Sequence, residues 1–227
     1  MRAMASAVPG LDAERTCWEA GAATVVGIDE VGRGAWAGPV TVGALVIPQD
    51  RRIYKVRDSK MLTSARREAL YDRIAAWAPA FAVGHAWPHE CDELGMTAAQ
   101  RLAARRALDD LSARGHHADA ILLDGKHDYL GGPGDAGPRV ETIVKGDASS
   151  LAIAAASVMA KVTRDRLMVE DAPHYPAYGF DSNVGYPAPV HQYALHAYGP
   201  TPIHRKSWMF MDALPWFRRG PDQAALF

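Results

Sequence analysis

Short apolar, β-branched runs alternate along the chain with longer stretches of helical periodicity. Apolar runs bounded by glycine, proline or polar residues predict strands over 24–29, 39–47, 81–87, 119–124 and 140–144. Apolar residues that return every three or four positions predict helices over 63–77, 97–114 and 148–169. This alternation indicates an α/β fold in which helices pack on a mixed sheet.

The same pattern divides the chain into four parts. We expect a flexible N-terminal extension over 1–23 and a catalytic domain over 24–172. A proline-rich, irregular stretch over 173–189 leads into two further helical pieces, which gives a C-terminal helical extension over 173–219. The polar tail over 220–227 is predicted to be flexible.

Composition excludes several classes of protein. Apolar residues make up 48% and charged residues 22%, which is typical of a globular domain. There is no apolar run of membrane-spanning length, and the N-terminus has no apolar core of a signal peptide. Cys17 and Cys91 form no CxxC pair, so neither a disulfide framework nor a zinc site is expected. We expect a cytoplasmic monomer.

Charge is distributed unevenly along the chain. The net charge of -1 gives no general basic footprint for nucleic acid. However, the segment 51–73 carries eight basic residues against three acidic ones. Such a segment is either a solvated helix face or a contact surface for phosphates.

Four carboxylates stand where predicted elements begin or end. Asp29 and Glu30 close the first strand, Asp124 closes a central strand, and Asp147 precedes the long helix. Because like charges in one site raise each other's pKa, four converging carboxylates need a cation to stay ionised. Oxygen ligands of this kind suit Mg²⁺ or Mn²⁺, and two such ions promote phosphodiester cleavage.

Each of these acids also has a structural interpretation. Asp147 is suited to cap the N-terminus of the long helix, and Asp124 is typical of a turn. Neighbouring residues on a regular strand point to opposite faces. Asp29 and Glu30 can therefore share a metal site only if the strand twists or breaks there, which the glycines that follow permit.

Residues 27–40 are far more specific than any single acid. They read G-I-D-E-V-G-R-G-A-W-A-G-P-V and closely resemble the ribonuclease HII signature G-[IV]-D-E-[AV]-G-R-G-x-x-A-G-P-V. Further similarities follow in the family's order: D-S-K-M-L at 58–62, L-D-G at 123–125, K-G-D-A at 145–148, A-A-A-S-V-M-A-K-V-T-R-D at 154–165, Y-G-F at 178–180, G-Y-P at 185–187 and H-R-K-S-W at 204–208. The resemblance runs from about Val25 to Trp208.

The resemblance implies a fold, an activity and a metal site. The fold would be RNase H-like, with a C-terminal helical extension. The activity would be endonucleolytic cleavage of the RNA strand of RNA–DNA hybrids and 5′ of ribonucleotides embedded in DNA, as in ribonucleotide excision repair. The metal-binding catalytic carboxylates would be Asp29, Glu30, Asp124 and Asp147, with Asp29 shared by both ions.

The resemblance also implies substrate contacts. The loop of Gly32, Arg33 and Gly34 would meet the ribose 2′-hydroxyl, and Tyr186 would pack against the sugar on the DNA side. Residues expected near the substrate backbone are Lys60, Ser157, Lys161 and Arg164. For Arg164, a local ion pair with Asp165 is the structural alternative.

Two features depart from the family pattern. The family usually has H-K-G-Y where this chain has N-V-G-Y, so Val184 replaces a cationic phosphate contact. The loop between Asp124 and Asp147 is long and glycine-rich, which leaves Asp128 and Asp135 as alternative ligands.

Two other functions compete with this one. The first is another two-metal nuclease of the same fold, of the ribonuclease HIII type or a resolvase. The HIII relatives carry an extra N-terminal substrate-binding domain, for which the roughly 23 residues before the first strand leave no room. The second is a nucleic-acid-binding module without catalysis, which would be expected to lack one of the four acids.

The last five residues, Q-A-A-L-F, suggest a partner. They look like the Q-x-x-L-F peptide by which bacterial repair proteins dock on the replication sliding clamp. Leu226 and Phe227 would then fill an apolar pocket on the clamp, with Gln223 at its rim. The alternative is that both apolar residues fold back onto the protein body.

Overall fold

The computed structural model describes residues 8–57, 59–131 and 137–215 of the 227-residue chain. In these ranges one five-stranded sheet has the order β3-β2-β1-β4-β5. Its strands are β1 (Val25–Val31), β2 (Val40–Val46), β3 (Ala80–Ala86), β4 (Ala120–Asp124) and β5 (Arg139–Ile143). The sheet is mixed, because β1 pairs antiparallel with β2 but parallel with β4. The α/β prediction is confirmed.

Helices cover both faces of this sheet. They are α1 (Asp12–Glu19), α2 (Ser64–Trp77), α3 (Pro88–Leu94), α4 (Met96–Ala113), α5 (Gly146–Ser149), α6 (Leu151–Asp171), α7 (Phe180–Asn183) and α8 (Pro189–Tyr198). Short 3-10 turns occur at Ser59–Met61, Ala172–His174, Pro176–Tyr178 and Met209–Ala213. Across the described residues, we find no helix with the length and apolar character that a membrane span requires.

Glycines in the strands let two long helices approach the sheet closely. A Cβ at Gly27 of β1 would collide with the backbone of Ala152 in α6. On the opposite face, a Cβ at Gly84 of β3 would collide with the backbone of Ala103 in α4. The two apolar cores therefore lie on either side of one sheet, with α6 fixed directly behind β1.

The predicted helix over 148–169 is broken at its start. Ser150 separates the single turn α5 from α6, and its hydroxyl accepts a hydrogen bond from the amide of Ile153 at 3.2 Å. Ser150, rather than Asp147, is therefore the cap of the long helix. The structural interpretation of Asp147 as that cap is wrong.

The N-terminal extension predicted over 1–23 contains helix α1, and its residues 1–7 lie outside the described part of the structure. In α1, Glu14 is completely buried and accepts hydrogen bonds from the Ser150 hydroxyl (2.6 Å) and the Ala152 amide (2.9 Å). Gly10 also exchanges backbone hydrogen bonds with Ser149 and Leu151. A carboxylate at the N-terminus of α6 is favourable because that helix end presents unsatisfied amides.

The C-terminal extension has its own apolar cluster, which we call the C-terminal cluster: Ala37, Met168, Tyr178, Phe180, Ala194, Leu195, Met211 and Leu214. Helices α7 and α8 belong to it, although the sequence predicts an irregular stretch where α7 lies. Helix α3 is also absent from the sequence prediction. It begins with Pro88 in its first turn, and Glu90 accepts a hydrogen bond from the Trp87 amide at 2.8 Å.

Candidate active site

Two of the four acids lie side by side on neighbouring parallel strands, Asp124 at the end of its strand and Asp29 two residues before the end of β1. Register pairs Ile28 with Leu123, so Asp29 and Asp124 are the next residues on β1 and β4. Parallel strands run about 4.8 Å apart. A Cβ built at Gly27 would point at α6, and side chains alternate along a strand. The Asp29 side chain, and that of Asp124 beside it, therefore lie on the α6 face of the sheet.

Asp147 joins this pair through the turn before α5. The amide of Gly146 donates a 2.7 Å hydrogen bond to Oδ1 of Asp124, which fixes the adjacent Asp147 next to β4. Gly146 has no room for a side chain, because a Cβ there would lie 2.5 Å from Cδ1 of Ile153. Asp147 is buried, as expected for an acid held inside a site.

Glu30 takes the opposite face of β1. The strand does not break at the acidic pair, since Glu30 and Val31 still pair with β2. The break comes at Gly32, whose φ is 83°. Alternation therefore separates the Glu30 side chain from that of Asp29 along the strand.

Tyr129 links the acids on the two faces. Its side chain is buried, and burial is the main reason that the pKa of its hydroxyl is raised. The negative charges of Glu30, Asp29 and Asp124 raise this pKa further, in that order. The three carboxylates thus act electrostatically on one buried phenol, which sequence analysis did not identify because a lone tyrosine in a loop carries no pattern.

The oxygen atoms of these acids are the ligands that a hard divalent cation prefers, but their positions in this structure do not form a coordination shell. Among the described residues, no group of three or more His, Cys, Asp and Glu side chains is gathered closely enough to hold a metal ion. Oδ1 of Asp29 accepts a hydrogen bond from the Glu30 amide at 2.8 Å, as Oδ1 of Asp124 does from Gly146. A carboxylate has about four acceptor positions, so each retains capacity for a cation. The fit therefore rests on an all-oxygen donor set at one end of the sheet.

A loop with two exposed residues, Arg33 and Gly34, borders these acids. Its backbone is held from behind by Arg205, a fully buried residue that donates to the carbonyls of Arg33 (2.9 Å) and Gly38 (3.0 and 3.1 Å). Since the Arg33 carbonyl points inward, the amide of Gly34 in the same planar peptide points outward. A Cβ at Gly34 would meet nothing within 4 Å, so there is open space on the side-chain side of this residue.

Arg164 holds the other side of the same loop. Its guanidinium donates to the carbonyls of Pro39 (2.9 Å), Ala37 (2.9 Å) and Val184 (2.8 Å). It is completely buried, so the substrate contact expected for it is not available in this structure. The alternative ion pair is wrong as well, because Asp165 pairs with Lys161 at 2.6 Å. Arg164 is a positioning residue.

Tyr186 stands directly on this loop. Its hydroxyl accepts a hydrogen bond from the Gly32 amide at 3.1 Å. One face of its ring has the Lys161 ammonium at 5.5 Å and the Arg164 guanidinium at 5.2 Å from the centroid. The carbonyl of Gly185 also accepts from Trp36 and Ala37, so the two segments are joined at several points.

The other expected backbone contacts have mixed outcomes. Ser157 is buried and hydrogen-bonds to the Ser59 hydroxyl at 2.9 Å, so it holds that segment against α6 rather than facing solvent. Lys161 is half-buried in its ion pair, and burial lowers its pKa. The backbone of Lys60 lies in the Ser59–Met61 turn, while its side chain is outside the described part of the structure.

Val184 has a left-handed backbone conformation, with φ 43° and ψ 40°. A β-branched residue rarely adopts this conformation because its Cβ substituents crowd the backbone. The position where the family usually has lysine is therefore both uncharged and strained in this chain.

The alternative ligand Asp128 closes a turn. It is exposed, and its Oδ1 accepts hydrogen bonds from the amides of Leu130 (2.8 Å) and Gly131 (3.1 Å). Asp135 and the tail residues Gln223, Leu226 and Phe227 lie outside the described residues.

The basic segment 51–73 lines a groove of about 560 Å³ beside α2. The groove presents Lys55, Arg57, Arg66 and Arg73 around Met61, Leu62, Ala69 and Leu70. Not every basic side chain in this segment is available to bind phosphate. Arg51 donates to the Trp77 carbonyl at 2.9 Å, and Arg67 donates to the Leu62 carbonyl at 2.7 Å. The solvated-face interpretation therefore holds for part of the segment at most.

Similarity to known proteins agrees with this arrangement. The chain matches the family model described as Ribonuclease HII over residues 26–211. Ribonucleases HII from Streptomyces avermitilis and Streptomyces coelicolor are each 53% identical to it over 198 residues, covering 87% of this chain and 82% of each relative.

Solved structures share its fold. The ribonuclease H2 of Pyrococcus horikoshii OT3 has a TM-score of 0.64 at 26% identity, covering 84% of this chain and 96% of that one. The RNase HII of Archaeoglobus fulgidus, solved in a PCNA:RNase HII complex, has a TM-score of 0.68 at 23% identity, covering 88% and 99%. Bst-RNase HIII in complex with Mn²⁺ has a TM-score of 0.58 at 21% identity, covering 78% and 63%. The fold is thus RNase H-like, and the chain belongs to the ribonuclease HII family of ribonuclease H hydrolases.

Proposed function

We propose that this chain is an endonuclease that cuts the RNA strand of RNA–DNA hybrids and cuts 5′ of ribonucleotides embedded in duplex DNA. The products would be a 3′-hydroxyl and a 5′-phosphate. One observation carries the proposal: Asp29 and Asp124 lie side by side towards the C-terminal ends of neighbouring parallel strands, beside a loop whose backbone is held from behind by Arg205. Such a site combines acids for hydrolysis with backbone donors for a sugar.

Asp29, Glu30, Asp124 and Asp147 would hold two Mg²⁺ or Mn²⁺ ions. Bst-RNase HIII, which shares the fold, was solved in complex with Mn²⁺. When bound, such ions lower the pKa of a water nucleophile and stabilise the leaving oxygen. The carboxylates themselves would orient the ions. Asp29 would be the ligand shared by both ions, since it lies on β1, which has β2 on one side and β4 on the other.

The exposed loop would select the ribonucleotide. The outward amide of Gly34 can donate a hydrogen bond to a sugar or phosphate oxygen, while the absence of a side chain permits close approach. A 2′-hydroxyl both donates and accepts hydrogen bonds, and deoxyribose lacks it. The Tyr186 ring would then pack against the following deoxyribose, in a position fixed by the hydrogen bond from the Gly32 amide to the Tyr186 hydroxyl.

A cleavage assay tests the proposal. The substrate is an end-labelled DNA duplex with one embedded ribonucleotide, compared with an all-DNA duplex, a long RNA–DNA hybrid and a four-way DNA junction, each in Mg²⁺. We expect cleavage of the ribonucleotide-containing duplex and of the hybrid only. Cutting of the junction alone would indicate a resolvase, and binding without cutting would indicate a non-catalytic module.

Two matched substitutions assign the acids. Asp29→Asn keeps shape but removes charge, so activity should fall below about a tenth of wild type. Asp128→Asn makes the same chemical change in a turn, where the asparagine side-chain oxygen can still accept hydrogen bonds from the Leu130 and Gly131 amides. The assignment fails if Asp29→Asn remains active or if Asp128→Asn is the variant that loses activity.

The clamp partner is a further part of the proposal. The RNase HII of Archaeoglobus fulgidus was solved with PCNA, and the tail of this chain has Gln223, Leu226 and Phe227 at clamp-peptide spacing. Deleting residues 223–227 should abolish binding to a bacterial sliding clamp and leave cleavage of naked substrate intact. Loss of stability on deletion would instead support the folded-back tail.

A further inference from the structure

Two histidines of the C-terminal extension form a buried pair that the hydrolytic site does not use. Nε2 of His191 and Nε2 of His204 lie 2.9 Å apart, and both side chains are essentially inaccessible to solvent. Aromatic rings surround them, with Trp36, Tyr178 and Phe180 all in ring contact. A polar contact buried this way requires one ring to donate and the other to accept.

The groups at either end of the pair decide which ring donates. Nδ1 of His204 receives the backbone N–H of Thr201 at 2.9 Å, so this nitrogen is an acceptor. A neutral His204 must then carry its proton on Nε2 and donate to His191. Nε2 of His191 is therefore the acceptor, and its proton sits on Nδ1, which lies 2.9 Å from the carbonyl of Tyr186. One directed chain of hydrogen bonds thus runs from Thr201 to Tyr186.

The surroundings keep both rings neutral. Burial lowers the pKa of His191, and burial is also the main reason that the pKa of His204 is lowered to about 3. A proton added to Nε2 of His191 would face the Nε2–H of His204 across the 2.9 Å contact, and one added to Nδ1 of His204 would face the backbone N–H of Thr201. The chain therefore has a single arrangement of protons at neutral pH.

This chain ends on the residue that touches the loop. The Tyr186 backbone accepts from His191 at its carbonyl, while the Tyr186 hydroxyl accepts from Gly32. The Tyr186 backbone is thus bonded to His191 at its carbonyl and to Asn183 at its amide, while the Tyr186 side chain is bonded to the loop.

We propose that His191 and His204 are positioning residues for Tyr186, and that their directed hydrogen bonds set how the enzyme discriminates an embedded ribonucleotide from a long hybrid. This rests on the proposed function, since it assumes that Tyr186 bears on the deoxyribose after the cut. The prediction is that disturbing the pair changes the ratio of the two activities more than it changes either stability or the reaction on long hybrids.

The first test does not depend on activity. Nitrogen-15 NMR of histidine-labelled full-length protein at pH 7 distinguishes a protonated Nδ1 from a protonated Nε2. We expect His191 to carry its proton on Nδ1 and His204 on Nε2, assigned by comparison with His191→Asn. The opposite tautomers, or a charged ring at pH 7, would overturn the proposal whether or not the protein cuts nucleic acid.

The second test uses two matched variants. In His191→Asn the amide nitrogen takes the place of Nδ1 and still donates to Tyr186. In His191→Gln the amide nitrogen takes the place of Nε2, so it reaches His204 but not the carbonyl of Tyr186. We expect His191→Gln to lower kcat/KM for a single embedded ribonucleotide, relative to a long hybrid, by about three- to tenfold, the worth of one hydrogen bond. His191→Asn should keep the wild-type ratio.

Equal ratios in both variants would mean that the pair only packs the extension, and the proposal would fall. Thermal melts of both variants separate a change of ratio from loss of folding. If wild-type protein cuts neither substrate, the proposed function fails, while the NMR result still decides whether the hydrogen-bond chain exists.

Discussion

Arg205 donates a 2.9 Å hydrogen bond from Nη1 to the carbonyl of Arg33, 172 residues earlier in the chain. The same guanidinium makes two further bonds to the carbonyl of Gly38. One arginine is completely buried and the other is exposed on the loop, so the buried cation fixes the backbone that carries the exposed one.

We expect Arg205→Lys to destabilise the protein and loosen the loop. A lysine ammonium keeps the charge but cannot reproduce the planar fork that serves two carbonyls at once. The free energy of unfolding should fall by about 3 kcal/mol, and KM for a ribonucleotide substrate should rise. Urea denaturation and steady-state cleavage measure both, with the exposed Lys206→Ala as control. An unchanged KM would mean that the loop is ordered without Arg205.

Tyr186→Phe removes only the hydroxyl that accepts from Gly32. Because the ring stays, we expect a loss of about three- to tenfold in cleavage at a single embedded ribonucleotide, the worth of one hydrogen bond. Tyr186→Ala should lose more, since the sugar-facing ring goes as well. Tyr193→Phe, on the exposed face of α8, is the control. If Tyr186→Ala cuts this substrate as well as wild type, Tyr186 is only a packed loop residue.

Val184→Lys should relieve strain and restore a cation together. Replacing a β-branched residue in the left-handed region is expected to raise the free energy of unfolding by up to about 1 kcal/mol. Val184→Asn should give the same stability without the charge. Only the lysine variant should bind duplex substrate more tightly, with a salt dependence steeper by about one phosphate contact. Equal binding by both variants would show that no phosphate passes this position.

Glu14→Ala should uncouple the N-terminal helix from α6. It removes the acceptor for Ser150 and Ala152 and leaves a cavity, at a cost of about 3 kcal/mol in unfolding free energy. Glu14→Gln keeps an acceptor oxygen. Burial raises the pKa of this carboxyl, which makes its charged form costly, so the glutamine variant should lose little stability. Equal losses in the two variants would contradict the capping role.

Acid should weaken the fold through His204. Its pKa is lowered from 6.5 to about 3, chiefly by burial, so the unfolded chain binds this proton more readily than the folded one. The stabilisation is complete above pH 6.5 and is lost as pH falls from there toward 3. Between pH 7.5 and 5, His204→Phe should lose about 2 kcal/mol less unfolding free energy than wild type. Parallel pH dependences would refute this, and carboxylates common to both proteins cancel in the difference.

Local sequence pattern predicts the strands because each is a run of apolar residues between breakers. It also predicts that Asp29 and Asp124 belong to one group of converging acids, whereas only the structure shows that their strands are parallel neighbours. It does not predict the parts held from a distance. Arg164 reaches carbonyls up to 127 residues away, and periodicity contains no information about such partners.

Sequence pattern also fails to predict which polar groups are buried. Glu14 sits in a short polar helix whose pattern favours a solvated extension, yet its carboxylate is inside the protein. Tyr129 is buried where the charges of Glu30, Asp29 and Asp124 raise the pKa of its hydroxyl, and only folding brings it there. In both cases the partner is a backbone amide or a charge from another element, which no spacing rule registers.

The hydrogen bonds from Arg205 also have a consequence for the order of events during synthesis. The loop that would recognise a ribonucleotide is translated early, but its anchor lies 172 residues later. Domains form from the N-terminus as the chain emerges, at about 5–20 residues per second. A nascent chain therefore carries its acidic strand for many seconds before the loop can be fixed. The backbone of the loop can therefore take its final position only after residue 205 has been translated.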